Sequence, residues 1–196
     1  MTFQHVYFQN EGHVATCRFS HPPNQTLTNA MVESARQWLS DIAADSGIRV
    51  VVFIGEGPFF IAHYEVADIY AMVTEAPQEE TEIAALPLHP FHQLLIAIEA
   101  LPQVSIAAIN GSAAGGGFEL ALACDFRVMK GGSYTLSLPE TNIGIIPGGG
   151  GTQRLTRMIG LSRATELVLL GKALAVEHAH DLGLVHRVFS DEKFNL

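Results

Sequence analysis

Ile-Asn-Gly-Ser-Ala-Ala-Gly-Gly-Gly-Phe-Glu-Leu-Ala-Leu-Ala-Cys-Asp, residues 109–125, decides how the rest of this chain is read. A β-branched run ends at Ile109, gives way to small residues and then takes on a helical pattern. Gly115, Gly116 and Gly117 have no Cβ, so the backbone can come close to a ligand here. The first N–H groups of the helix that follows have no partner within it, and the helix dipole adds positive potential at that end. That is a place for an anion. Glu119 falls in the first turn, where its carboxylate either complements the dipole or faces the ligand. Taken alone, the stretch favours the plainer reading, a tight strand-to-helix turn with a dipole-matching glutamate.

Outward from this stretch, strands and helices alternate. Upstream, residues 90–101 place Phe91, Leu94, Leu95, Ile98 and Leu101 at helical spacing and lead into a buried strand over 104–109. Further back, residues 3–8 and 14–19 read as strands joined by the Gly12 turn, 10–13. Thr28 caps a helix to about Ala44 with Met31, Ala35, Leu39 and Ile42 on one face, and residues 49–54 form a buried strand. Residues 59–69 follow a strand end and read as a loop at a sheet edge. The segment 74–87 holds Glu75, Glu79, Glu80 and Glu82 with Pro77 and Pro87 and reads as an exposed, mobile excursion.

Downstream, 125–129 and 133–136 read as short strands, and Pro139-Glu140 ends the second. Four glycines, residues 148–151, make a second glycine-rich approach to a helix. Ser162 caps a helix to Leu170 stopped by Gly171, residues 176–182 form a shorter helix stopped by Gly183, and 184–189 is the final strand. The alternation argues for an α/β fold in a single domain, 1–196.

Composition excludes several functions. The formal charge is −9 and the only lysines are Lys130, Lys172 and Lys193, so a nucleic-acid or anionic-membrane footprint is missing. Apolar runs are interrupted well before membrane-spanning length and the N-terminus lacks a basic-then-apolar signal, so a cytoplasmic location is expected. Cys17 and Cys124 have no Cys-x-x-Cys spacing and read as two buried thiols. The pairs His89/His92 and His178/His180 lack further ligands, and no metal is expected. The glycines do not form Gly-x-Gly-x-x-Gly after a first strand, and no Gly-x-Ser-x-Gly elbow occurs.

Two glycine-rich turns, each with a glutamate, raise the question of paired carboxylates sharing proton work on one substrate. The residues 110–125, then Pro139-Glu140, then 144–155 (Gly-Ile-Ile-Pro-Gly-Gly-Gly-Gly-Thr-Gln-Arg-Leu) resemble the enoyl-CoA hydratase/isomerase (crotonase) superfamily. The resemblance covers nearly the whole chain, down to Ala179, Gly183-Leu184-Val185 and Val188.

It implies a superhelix of strand-strand-helix turns and an oxyanion hole of two backbone N–H groups that polarise a thioester carbonyl. One donor would be Gly116. The second would be Tyr64, in the loop 60–65, whose usual small residues and glycine are here replaced by His63 and Tyr64. A histidine where glycine holds a positive φ would be strained unless the loop is re-formed. Glu119 and Glu140 match the two catalytic glutamates of the hydratases, and Ala62 and Gly148 match substrate-binding positions.

The resemblance thus implies hydration of a trans-2-enoyl-CoA to a 3-hydroxyacyl-CoA, with coenzyme A as part of the substrate and no separate cofactor. Arg18, Arg36 and Arg49 are scattered candidates for its phosphates. An isomerase using Glu140 alone and a silent acyl-CoA-binding paralogue are the alternatives. Trimer-based homo-oligomers are usual in the family, as are C-terminal helices beyond the strand matching 184–189, which this chain is expected to lack.

Overall fold

The computed structural model describes residues 5–74 and 88–194. Its elements are β1 (Val6–Glu11), β2 (Val14–Phe19), α1 (Asn29–Ala44), β3 (Val50–Ile54), β4 (Phe59–Ile61), α2 (Val66–Thr74), α3 (Pro90–Glu99), β5 (Val104–Ile109) and β6 (Ser112–Ala114). They continue with α4 (Gly116–Ala123), β7 (Phe126–Lys130), β8 (Thr135–Ser137), a 3-10 turn (Glu140–Ile143), α5 (Gly151–Ile159), α6 (Leu161–Leu170), β9 (Leu174–Ala175), α7 (Val176–Asp181) and β10 (Arg187–Phe189).

Two sheets share the strands. The larger runs β1-β2-β3-β5-β7-β10 and the smaller β4-β6-β8-β9. Within them β3, β5 and β7 pair in parallel, as do β4, β6 and β8. Each turn of the chain therefore gives one strand to each sheet and then a helix: β3-β4-α2/α3, β5-β6-α4, β7-β8-α5/α6. This is the α/β superhelix of strand-strand-helix turns expected from the sequence. Fully buried Phe19, Phe53, Phe60, Phe118, Leu27 and Met31 fill its interior.

Local chemistry accounts for the helices. Thr28 caps α1 by accepting the Met31 N–H at 3.2 Å, and the helix buries Met31, Ala35, Leu39 and Ile42 as the periodicity predicts. Pro90 opens α3, where its missing N–H costs nothing, and α3 buries Phe91, Leu94, Leu95 and Ile98. All eight residues of α4 are buried. A buried charge, Arg127, sits beneath its C-terminal end and donates from Nη1 to the Cys124 carbonyl at 2.6 Å and from Nε to the Leu184 carbonyl at 2.8 Å. Loose backbone carbonyls there are the natural partners of a cation.

Several boundaries differ from the sequence reading. Residues 3 and 4 of the first expected strand lie outside the described residues; the described strand, Val6–Glu11, continues to Glu11, which pairs with Val14, so the turn shrinks to Gly12-His13, with Gly12 at φ +57°. The stretch 59–69 is not a loop throughout: Phe59–Ile61 pairs with β6 and Val66–Thr74 is helical. Helix α6 starts at Leu161 after Gly160, with Ser162 inside it and no side-chain cap. The last strand is only Arg187–Phe189. Cys17 and Cys124 are both buried and free. Of the acidic excursion 74–87, Thr74 ends α2 and the rest lies outside the described residues. Among the described residues no helix is long and apolar enough to cross a membrane.

Candidate active site

The turn into α4 is built on Gly115, at φ +51° and ψ −127°, a conformation open to glycine. Gly117 follows with a close approach. A Cβ there would lie 2.3 Å from the Ile61 carbonyl oxygen, so the helix start is pressed against the end of β4. Between them, no hydrogen bond to the Gly116 N–H is formed by the described residues. It is a free donor at the positive end of a helix.

The segment after β4 is stitched to the chain before α1. Leu27 N–H donates to the His63 carbonyl and Glu65 N–H to the Leu27 carbonyl, both at 2.9 Å. In such a parallel bridge the intervening residue turns its own amide to the other side, so the Tyr64 N–H faces away from Leu27. It too has no acceptor among the described residues. His63 does not take a positive φ; the expected strain is avoided because the loop is re-formed around the bridge, with His63 Nδ1 donating to the Tyr64 carbonyl at 2.7 Å.

The Tyr64 ring is held in place. Its hydroxyl donates to Asn29 Oδ1 at 2.6 Å, and its ring packs on Phe91 with centroids 5.1 Å apart. Its Cβ would meet a Cβ on Gly116 at 3.3 Å, so the two donor residues are neighbours. Burial pushes the phenol pKa up, and the nearby Asp68 charge adds to this.

The two glutamates sit differently. Glu119, in the first turn of α4, is 2% exposed, and its Oε1 accepts the Gly151 N–H at 2.7 Å. Burial raises its pKa, against the pull of the Gly151 and Gly149 N–H groups, Arg154 and His92. Glu140, on the 3-10 turn, has its pKa raised to about 7 by burial, with the Glu119 charge adding to the shift. Its Oε2 is buried with no hydrogen-bond partner.

A cavity of about 320 Å³ joins these groups. Tyr64, Gly116, Glu119, Glu140 and Gly148 all line it, with Ile69, Met72, Phe91, Ile145, Ile146, Gly149 and the imidazoles of His89 and His92. Ala62 is not in this lining; its N–H donates to the Gln25 carbonyl at 2.9 Å. Gly148 lies in the lining, but nothing stands within 4 Å of where its Cβ would be. The glycine that the packing demands is Gly149, where a Cβ would come 2.7 Å from Glu119 Oε2 and 2.5 Å from the Phe91 ring.

A larger hollow of about 590 Å³, lined by Tyr7, Arg18, Glu56 and the Pro22-Pro23 corner, has one acid and one base and no glycine-rich helix end. Size favours it, but Tyr64, Gly116 and both glutamates line the smaller cavity. Arg36 is tied to Glu33 at 2.5 Å and to Gln93, an ordinary surface role. Sequence reading missed His89, His92, Phe91 and Arg154 at the site. The only signal was the position of the two histidines and Phe91 at the start of a helix that packs on the glycine-rich stretch.

A superhelix that brings Tyr64, Gly116, Glu119 and Glu140 to one cavity defines a class, and the comparisons agree on the family. The family model for enoyl-CoA hydratase/isomerase matches residues 9–195, and this chain belongs to that family. It is 39% identical over 179 residues to a "Probable enoyl-CoA hydratase" of Bacillus subtilis (strain 168), covering 91% of this chain and 67% of that protein. It matches the crystal structure of an enoyl-CoA hydratase from Bacillus anthracis with a TM-score of 0.84 and 35% identity, over 97% of this chain and 72% of the other. It is also 38% identical to the "Fatty acid oxidation complex subunit alpha" of Shewanella loihica, over 85% of this chain and 23% of that protein.

Proposed function

We propose that the chain is an enoyl-CoA hydratase, adding water across the double bond of a trans-2-enoyl-CoA to give a 3-hydroxyacyl-CoA. The observation that carries this reading is the presence of Glu119 and Glu140 in the same cavity as Gly116 and Tyr64. The coenzyme A moiety belongs to the substrate and no further cofactor is called for.

The thioester oxygen accepts the N–H groups of Tyr64 and Gly116, which withdraw electrons from the conjugated double bond. Glu119, whose carboxylate form is favoured against burial by the Gly151 N–H, takes a proton from water as the water oxygen bonds to Cβ. The π electrons pass to the thioester oxygen as an enolate. Glu140, whose pKa of about 7 keeps it substantially protonated near neutrality, delivers its proton to Cα as the carbonyl re-forms. Both new bonds form on the face that holds the two carboxyls, which is syn addition. The turnover leaves Glu119 protonated and Glu140 ionised, and exchange with solvent restores them.

Mixing the protein with crotonyl-CoA and longer enoyl-CoAs and following the loss of the enoyl absorbance tests this; no turnover across the series sinks it. Within the family the rival is a double-bond isomerase that uses Glu140 alone. Glu119→Gln separates the two, because isomerisation survives the change and hydration does not. Acyl-CoA binding with no turnover of either kind marks a silent paralogue. We also propose a cytoplasmic homotrimer, following the family resemblance; light scattering should then give a mass near three times 21.2 kDa.

A further inference from the structure

The loop 148–151 is four consecutive glycines, the residue type that loses most conformational freedom on ordering. It nevertheless has a positional task. The Gly151 N–H donates to Glu119 Oε1 at 2.7 Å, and Gly149 is packed so tightly on Glu119 and Phe91 that no Cβ fits. A loop with no side chains of its own has to be held from outside.

Helix α3 does this at two points. His92, near its start, bonds the Gly148 carbonyl through Nε2. A carbonyl only accepts, so that nitrogen carries the hydrogen. Seven residues on, Glu99 accepts a forked pair from Arg154, Nε at 2.9 Å and Nη2 at 2.8 Å, while Arg154 Nη1 donates to the Gly149 carbonyl at 2.6 Å. Residues two turns apart share one helix face, so both grips come from the same side. Gly148 is exposed and His92 half-buried, so their bond lies outside the core and contributes little to global stability.

We propose that His92 is a positioning residue: its bond to the Gly148 carbonyl, together with the Glu99–Arg154 fork, fixes the glycine loop so that Gly151 keeps the Glu119 carboxylate in place. Without the grip the loop samples many conformations and Gly151 loses its hold. Glu119 is then a buried acid with one donor fewer, less able to remain ionised.

Two variants test this. Glutamine places its amide nitrogen near the position of His Nε2 and can donate to the same carbonyl; alanine cannot. Amide hydrogen exchange in His92→Ala should speed up at Gly151 by about tenfold, with β3 and β5 amides unchanged, and His92→Gln should retain most of the protection. Unchanged Gly151 exchange in His92→Ala overturns the proposal. So does faster exchange throughout the chain, or equal damage in the glutamine variant. In the hydration assay, His92→Ala should lower kcat about tenfold with KM within about twofold, glutamine restoring most of it. Only this kinetic arm rests on the hydratase reading. A wild type that turns nothing over would defeat that reading and leave the exchange arm to decide the loop.

Discussion

Glu119 and Glu140 carry the same side chain into the same cavity, yet Glu119 is held by N–H donors from a distant loop and Glu140 only by the N–H of its own residue. Glu119 stands on a wholly buried helix and accepts the Gly151 N–H. Glu140 stands on a 3-10 turn of four residues, with one oxygen buried and unpartnered. Burial alone pushes both acids toward neutrality. The difference lies in what opposes it: the Gly151 and Gly149 N–H groups, Arg154 and His92 act on Glu119, whereas at Glu140 only its own backbone N–H opposes burial and the Glu119 charge adds to the rise. In the proposed hydration this difference of surroundings is what assigns the base role to Glu119 and the acid role to Glu140.

The strongest way to break this comparison is to remove the acids one at a time. Glu140→Gln should lower hydration by about 10²–10⁴-fold, and Glu119→Gln by a similar factor, both read from the enoyl absorbance. If Glu119→Gln spares turnover, the two sites are not a pair.

Gly149→Ala attacks the furnishing instead of the acid. Its Cβ would lie 2.7 Å from Glu119 Oε2, so the carboxylate has to move, and kcat should fall about 10–100-fold while both acids remain. Steady-state kinetics beside a normal far-UV spectrum would check it.

A milder test separates the two environments by pH. The folded Glu140 pKa of about 7 stands above the ordinary 4.5, so between these values the folded chain holds a proton that the unfolded chain releases. Its contribution to stability is present below about 4.5 and is lost as pH rises through about 7. Glu140→Gln abolishes that slope, so the variant should gain melting temperature over wild type at pH 8 more than at pH 5. Equal differences at both pH values would remove the distinction between the two carboxyls.

The smallest effect is read in stability, at a hydroxyl that bonds neither carboxyl. Tyr64→Phe removes the 2.6 Å bond to Asn29, whose own side chain can return to water, and should cost about 1 kcal/mol in denaturant unfolding.

Much of the fold was legible because its signals are local. The Thr28 cap, the apolar spacing of α1 and α3 and the glycine stops at 171 and 183 all act within a few residues of where they are read. The catalytic candidates Glu119, Glu140, Gly116 and Tyr64 were legible from their motifs, and the structure brings them to one cavity. What escaped depends on partners far along the chain. Phe59–Ile61 is a strand because β6, some fifty residues on, pairs with it. His92 reaches Gly148 across 56 residues, and Arg127 looked like an ordinary strand position until the end of α4 closed over it. Ala62 was placed by its motif neighbours, but its amide is used by Gln25.

The close contact of β4 with its neighbours has an evolutionary meaning. A Cβ would lie 2.0 Å from the Phe60 carbonyl oxygen at Gly55, 2.1 Å from that of Pro58 at Gly111 and 2.3 Å from that of Ile61 at Gly117. These three positions should appear as empty columns in a saturation library, tolerant of nothing but glycine. The strand they pin leads directly into His63 and Tyr64, so the backbone there is fixed by contacts that do not involve either side chain. A lineage can therefore try new residues at the mouth of the donor loop without losing the register that presents its amide.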